Sequence, residues 1–173
     1  LLHPDEANLR LPVQERASDR CVILVLESPH KDEFMGTPNP AKGQTGKFIA
    51  KYLRSVAGLE SVGELPLVLI NAVQYQCSLG EKPSGGWRDE VFMAYWNQGG
   101  RIDFTLRLRA VFRAGDILVC CCTRGDARDP KAHLRQRVYE AMQSAVPHTD
   151  ILRRNHPCTW NIGRNRRYNW KAV

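Results

Sequence analysis

The sequence has no long apolar stretch. Its longest uninterrupted apolar runs are six residues each, Cys21–Leu26 and Ile117–Cys122, in a chain of 173 residues. A helix that spans a bilayer needs about 20 apolar residues. We therefore expect no membrane partner, and a chain of this length suits a single domain with its own hydrophobic core.

Cysteines at metal-binding spacing are also missing. The six cysteines are Cys21, Cys77, Cys120, Cys121, Cys122 and Cys158, and no two of them form a CxxC pattern. The sequence therefore lacks zinc-ribbon and iron–sulfur cluster spacing. We expect no metal, no cofactor, and free thiols in a reducing, cytoplasmic environment.

Acidic residues are in deficit. The chain has 25 Lys and Arg against 18 Asp and Glu, a net charge of +7. Residues 151–173 contain six basic residues and no acidic one, with Trp160, Tyr168 and Trp170 among them. Basic and aromatic side chains together suit a nucleic-acid partner, although the net charge alone is as typical of an ordinary soluble domain.

Four short apolar runs alternate with amphipathic segments. The runs are typical of buried strands and lie at Arg20–Leu26, Leu67–Ile70, Ile117–Cys122 and, more weakly, Thr149–Leu152. Apolar residues three or four apart predict helices at Thr45–Ala57, Trp87–Asn97, Ile102–Phe112 and Pro130–Val146. This alternation predicts an α/β fold, a three-layer αβα sandwich with a central, mainly parallel four-stranded sheet. We assign residues 20–173 to this single domain and residues 1–19 to an N-terminal arm.

Polar residues follow each predicted strand. Glu27, Asn71 and Thr123 come after the first three strands, and His156 lies close behind the fourth. Ligands of parallel sheets bind beyond the carboxyl ends of the strands. We therefore expect these side chains to surround one crevice.

Motifs at these strand ends resemble those of the uracil-DNA glycosylase superfamily. Residues 26–30 (LESPH) look like the GEAPG form of its first motif, and residues 40–46 (PAKGQTG) are similar to the stretch that leads into a helix. Residues 69–73 (LINAV) end a strand in Asn, and residues 156–157 (HP) begin the last motif. The resemblance covers residues 20–160 and implies a uracil-DNA glycosylase-like fold.

The chain departs from the family pattern at three points. Leu26 stands where the first motif has Gly, and Ala41 stands where the family has an aromatic residue that stacks on the target base. Phe34 or Tyr75 would have to supply that stacking surface. The family's iron–sulfur cluster is not expected, because the cysteine spacing does not provide its ligands.

The resemblance implies a catalytic pair and a base-recognition group. Glu27 would stabilise the positive charge that develops on the sugar and hold the attacking water, and His156 would donate to the departing base. Asn71 would read the edge of an extruded base. The remaining base-recognition candidates are Ser28, Pro29, His30, Phe34 and Tyr75. A helix cap for Glu27, turn chemistry for Asn71 and a rigid turn for His156 are the plain structural alternatives.

The same reasoning predicts a DNA-binding surface. Trp160 would fill the gap left by the extruded base, or else pack under the C-terminal segment. Gln44, Thr45 and Lys47 begin a helix that can bind phosphate, unless Thr45 is only its N-cap. The arginines expected to contact phosphates are Arg153, Arg154, Arg164, Arg166 and Arg167.

These features predict a monomeric, monofunctional DNA glycosylase that acts on a uracil-like or modified pyrimidine, in base-excision repair or in defence against foreign DNA. Ala41 leaves a wider slot than an aromatic residue would, which favours a bulky modified base. No lysine stands at a strand end to form a Schiff base, which argues against lyase activity. The alternatives are a non-catalytic DNA-binding module of the same fold and a hydrolase of free nucleosides or nucleotides.

Overall fold

The computed structural model describes residues 18–34, 40–62, 65–77 and 85–173. These residues form one four-stranded sheet in which each neighbouring pair of strands is parallel. The strands are β1 (Val22–Leu26), β2 (Leu67–Asn71), β3 (Ile117–Cys120) and β4 (Ile151–Arg153). The predicted N-terminal arm at residues 1–19 lies outside the described residues, apart from its last two.

Helices lie between and after the strands. They are α1 (Gln44–Tyr52), α2 (Gly85–Tyr95), α3 (Arg101–Val111), α4 (Leu134–Ala145) and the short α5 (Gly163–Arg167). Single 3-10 turns occupy Lys31–Glu33, Leu53–Ser55, Pro130–Ala132 and Pro157–Thr159, and a π turn at Trp96–Gly100 joins α2 to α3. The break predicted at Gly99-Gly100 falls in this π turn, where Gly99 has φ of 117°.

The strand order β2-β1-β3-β4 places β1 inside the sheet. Val22 pairs with Leu67 on one side and with Ile117 on the other. The chain moves from β1 to one neighbour for β2 and to the opposite neighbour for β3, so the winding direction changes between β1 and β3. In open parallel sheets such a switch point opens a crevice at the carboxyl ends of the strands.

The sheet is covered on both faces. Ile23 and Val25 of β1 belong to a core that includes Phe92, Phe104 and Met142 from α2, α3 and α4. Val22, Leu24 and Leu26 alternate to the other face, where a second core includes Ile49 of α1 and Trp160. Two-sided burial explains why the β1 sequence is a continuous apolar run. The three-layer fold with a parallel four-stranded sheet is confirmed.

Several boundaries differ from prediction. Residues 130–132, predicted as the start of the fourth helix, form a separate 3-10 turn, and α4 begins only at Leu134. α1 stops at Tyr52, and the chain tightens into a 3-10 turn before Val56 extends. The fourth strand is only three residues, all half-buried, which matches the weakness of its sequence signal. None of the helices in the described part of the chain has the length and apolar character needed to cross a bilayer.

Candidate active site

Glu27 follows β1 directly and sits at the switch point. Its Oε2 accepts a hydrogen bond of 2.9 Å from the Thr123 N–H beyond β3, so the side chain joins the ends of the two strands. The residue is 6% exposed. Its other oxygen, Oε1, accepts no hydrogen bond from the described residues. A buried carboxylate with one oxygen anchored and one unused can hold a ligand or a water.

His156 reaches the same place from β4. Its Nδ1 accepts a 3.3 Å hydrogen bond from the Cys158 N–H at the start of the 3-10 turn. In the neutral imidazole the proton therefore lies on Nε2. That Nε2 is 3.9 Å from Glu27 Oε2, which is too long for a hydrogen bond and leaves both atoms available to a ligand.

The environment of His156 favours the neutral ring. Burial lowers the pKa of His156; the carboxylate of Glu27 opposes this, and the nearby Arg88 and His30 add to it. The side chain is 14% exposed. A neutral imidazole with a fixed tautomer can donate from Nε2 without first taking up a proton.

Asn71 ends β2 opposite Leu26 in the sheet register. Its carbonyl oxygen accepts from Arg107 Nη1 at 3.0 Å, which fixes the strand end. Its side-chain Oδ1 is buried and has no hydrogen-bond partner among the residues that the structure describes. Buried acceptors are normally satisfied, so this oxygen lacks a donor that a ligand can supply.

The turn after β1 is held by its own side chains. His30 Nδ1 accepts from the Asp32 N–H at 3.3 Å, and Glu33 Oε1 accepts from the His30 N–H at 3.1 Å. Burial raises the pKa of Glu33, and hydrogen bonds from the backbone of His30 and Ala41 oppose the rise. Pro29 is buried and Ser28 half-buried. His30 thus caps this turn, with 44% of its side chain exposed.

Two glycines in the 40–46 segment are required by close approach. A Cβ on Gly46 would lie 1.8 Å from the carbonyl oxygen of Ala41, and Gly43 has φ of +79° with Asp32 Oδ2 beside it. Gly43 is also the N-cap of α1, so the alternative that Thr45 caps this helix is wrong. Gln44 and Lys47 are exposed and Thr45 is half-buried.

The two candidate stacking rings differ in their surroundings. Tyr75 packs on Tyr95 with ring centroids 4.7 Å apart. Phe34 is half-buried at the end of the 3-10 turn after β1. The stacking role of either ring stays a prediction.

Trp160 and Arg154 do not fit their predicted roles. Trp160 is 0% exposed, and its Nε1 donates to the Asn155 carbonyl at 2.8 Å. The prediction that Trp160 inserts into DNA is therefore wrong. Arg154 is 4% exposed, and its guanidinium donates to the carbonyls of Arg153 and Ala57 and to the side chain of Asn169. The prediction that Arg154 contacts phosphate is also wrong, because this side chain is buried. Both residues stabilise the C-terminal segment instead.

The other arginines of this segment divide into two groups. Arg153 lies over the Tyr139 ring at 5.5 Å, and Arg166 lies over Tyr52 at 4.5 Å, so both are partly engaged within the fold. Arg164 and Arg167 on α5 are exposed. These two remain the freest candidates for phosphate contact.

The sequence reasoning missed Arg88 and Asp89 on α2. Arg88 Nε and Nη2 donate to Asp89 Oδ1 at 2.8 and 2.7 Å, and Asp89 Oδ2 accepts from the Asp126 N–H at 2.6 Å. The charge of Arg88 acts on both Glu27 and His156. The sequence predicts this segment only as a helix, and no local pattern in it points to the site.

The described residues contain no group of three or more His, Cys, Asp or Glu side chains arranged to hold a metal ion. All six cysteines are free thiols, and five of them are buried. No protein-family model, curated protein or solved structure matches this chain.

Proposed function

We propose that the protein is a monofunctional DNA glycosylase that hydrolyses the N-glycosidic bond of an extruded pyrimidine. The observation that carries the proposal is the approach of His156 Nε2 to 3.9 Å from Glu27 Oε2 at the carboxyl ends of the strands. A carboxylate and a neutral hydrogen-bond donor are the two groups that this reaction requires.

Glu27 acts on the sugar of the extruded nucleotide. As the bond between C1′ and the base nitrogen breaks, its electron pair leaves with the base and positive charge develops on the sugar ring. A carboxylate held by the Thr123 N–H stabilises that charge. The unused Oε1 accepts a proton from the water that attacks C1′, so the sugar gains a hydroxyl group.

His156 serves the base. The departing pyrimidine carries negative charge that is shared with its O2, which lies beside C1′ in the intact nucleoside. A donor placed next to the carboxylate therefore faces O2 when the carboxylate faces C1′. Neutral imidazole suffices for this role, and the hydrogen bond from Cys158 N–H to Nδ1 keeps the Nε2 proton directed away from the turn.

Asn71 supports recognition of the base. Its buried Oδ1 has no partner within the described part of the chain, so a donor from a ligand would satisfy it. Pyrimidines offer one on their Watson–Crick edge, N3–H in uracil and the exocyclic amine in cytosine. This oxygen thus discriminates against groups that present only acceptors.

The surface around His156 suits DNA. α1 packs against the Pro157–Thr159 turn that follows His156, and Gln44 and Lys47 are exposed on this helix. Arg164 and Arg167 add exposed positive charge on α5. Trp160 is buried, whereas Ile162, two residues further on, is an exposed apolar side chain, at 46%. Asn165 donates to the Thr159 carbonyl at 3.2 Å and braces the turn that presents Ile162.

The target base is proposed to be bulkier than uracil. Ala41 stands in place of a stacking ring, and Ala41 is linked to the turn after β1 through the Glu33 carboxylate. A small side chain there leaves room for a modified pyrimidine, as foreign or damaged DNA contains. Activity on plain uracil with none on bulky bases would contradict this part of the proposal.

The test is an alkaline-cleavage assay on duplex and single-stranded oligonucleotides that contain uracil, hypoxanthine or bulky modified cytosines. We expect cleavage at the modified position by the wild type and loss of cleavage in Glu27→Gln and in His156→Ala. Glu90→Gln, which changes an exposed carboxylate on α2, is the matched control and should retain activity. DNA binding without cleavage on any substrate would favour a binding module, and cleavage of free nucleosides alone would favour a nucleoside hydrolase.

A further inference from the structure

Arg88 is a half-buried cation at the candidate active site. Its side chain is 18% exposed, and two of its nitrogens, Nε and Nη2, share one oxygen of Asp89. Within the described residues, Nη1 has no hydrogen-bond acceptor. An arginine at a ligand-binding edge with one nitrogen held out of its ion pair has donors left for another anion.

The ion pair is anchored to the loop that also anchors Glu27. Asp89 Oδ2 accepts from the Asp126 N–H at 2.6 Å, three residues after the Thr123 N–H that bonds Glu27. Gly125 between them has φ of +81°, and a Cβ there would lie 2.9 Å from Asp89 Oδ2. The backbone of this loop is therefore shaped to receive Asp89, which fixes Arg88 relative to Glu27.

Arg88 lies within electrostatic range of side chains that follow several strands. Its charge acts on Glu27 after β1, on Cys77 after β2 and on His156 and Cys158 after β4. Together with the anchoring of Asp89 on the loop that also bonds Glu27, this places the guanidinium group near the carboxyl edge of the sheet. This is where an extruded nucleotide would enter.

A nucleotide that enters this edge brings phosphodiester anions toward Glu27 and Asp89. Two carboxylates repel these anions unless a cation compensates. Arginine is well suited to bind a phosphate while it holds a carboxylate, because its donors are spread over a planar fork. We propose that Arg88 binds one phosphodiester group flanking the extruded nucleotide through Nη1. This inference rests on the proposed DNA-directed function.

The experiment measures binding to a duplex with a tetrahydrofuran abasic-site analogue, which needs no turnover. A neutral methylphosphonate replaces each phosphate near the analogue in turn. We expect Arg88→Gln to weaken binding about 10- to 100-fold, as for one charge-assisted contact. One methylphosphonate should weaken wild-type binding similarly and leave Arg88→Gln binding unchanged. Arg113→Gln, which removes a cation where the chain enters β3, is the control and should behave as wild type.

The outcomes separate this inference from the proposed function. Equal sensitivity of both proteins to each methylphosphonate overturns the role of Arg88, even if the protein forms abasic sites. Loss of sensitivity at one phosphate in Arg88→Gln supports the role, even if no base is excised and the glycosylase proposal falls. Absence of DNA binding by the wild type overturns both. Because Arg88→Gln can unfold, Arg88→Lys is measured beside it: it keeps the positive charge and should keep the sensitivity to that methylphosphonate.

Discussion

Replacing Glu27 by Gln changes charge with little change in shape. Gln has the same length and keeps an oxygen that can accept from the Thr123 N–H, the 2.9 Å bond that joins the ends of β1 and β3. The substitution removes the anion that would stabilise the sugar and accept the proton of water. It therefore isolates the chemical role of Glu27 from its structural one.

The expected magnitudes follow from these contacts. Loss of a general base lowers the rate about 10²- to 10⁴-fold. The free energy of unfolding should change by about 1 kcal/mol or less, because the hydrogen bond is retained. The Glu27 charge raises the pKa of His156, so the pKa of His156 should fall further in the variant.

The assay combines abasic-site formation under single-turnover conditions, DNA binding, thermal unfolding and an NMR titration of the imidazole. We expect the variant to lose the rate of abasic-site formation, to keep its DNA binding and to unfold near the wild-type temperature. A Glu27→Gln protein that forms abasic sites at the wild-type rate would refute the catalytic assignment. A rise in the His156 pKa would refute the electrostatic effect of Glu27 on the imidazole.

Three further outcomes follow from the structure. Trp160→Ala should lower the free energy of unfolding, measured by chemical denaturation, by about 3–5 kcal/mol, since a fully buried indole is removed. A variant that stays stable but binds DNA more weakly would instead support the DNA-inserting role. Arg167→Ala should reduce the slope of the logarithm of the DNA-binding constant against the logarithm of the salt concentration by about 1. Arg154→Ala should instead lower the free energy of unfolding by about 2 kcal/mol or more, because the carbonyls that Arg154 bonds lose their donor. Equal effects of the two variants on the salt slope would contradict the difference in burial. Burial lowers the pKa of His156 in the folded state below 6.5, so below pH 6.5 the unfolded chain binds a proton that the folded chain does not. The free energy of unfolding of the wild type therefore falls on acidification. In His156→Asn this fall should be smaller. Identical pH profiles of wild type and variant would argue against burial of this imidazole.

The sheet was predictable because its strands are continuous apolar runs in the sequence. β1 is apolar at each of its five positions, and that pattern has few explanations other than burial on both faces. The convergence of Glu27 and His156 then follows from topology, since parallel strands end at one edge. The strand order is not written in the sequence, because it depends on which neighbours pack best in three dimensions.

The C-terminal segment shows where composition misleads. Interleaved arginines and aromatic rings are typical of nucleic-acid contact, yet the same residues can pack on one another. Arg135 and Arg153 lie over the Trp170 ring, and Trp170 is buried. Only the path of the chain after β4 separates the packed residues Arg154 and Trp160 from the exposed ones. No local pattern in the sequence carries that information.

Arg88 could not be found from the sequence for another reason. It lies within a helix, whereas Glu27, Asn71 and His156 lie at or after the ends of strands. Its place at the site depends on Asp89 meeting the Asp126 N–H 37 positions later. Long-range contacts of this kind have no local signature.

Glu27 follows an inner strand of the sheet and His156 follows an edge strand, so the two sides of the crevice should differ in mobility. β1 has a hydrogen-bonded strand on both sides, while β4 is a three-residue edge strand. Local opening begins where fewest contacts must break, so the imidazole side of the crevice can adjust while the carboxylate side stays fixed. Amide hydrogen exchange should accordingly be slowest at residues 22–26 and faster at residues 151–153, and the protection gained on ligand binding should fall mainly on the latter.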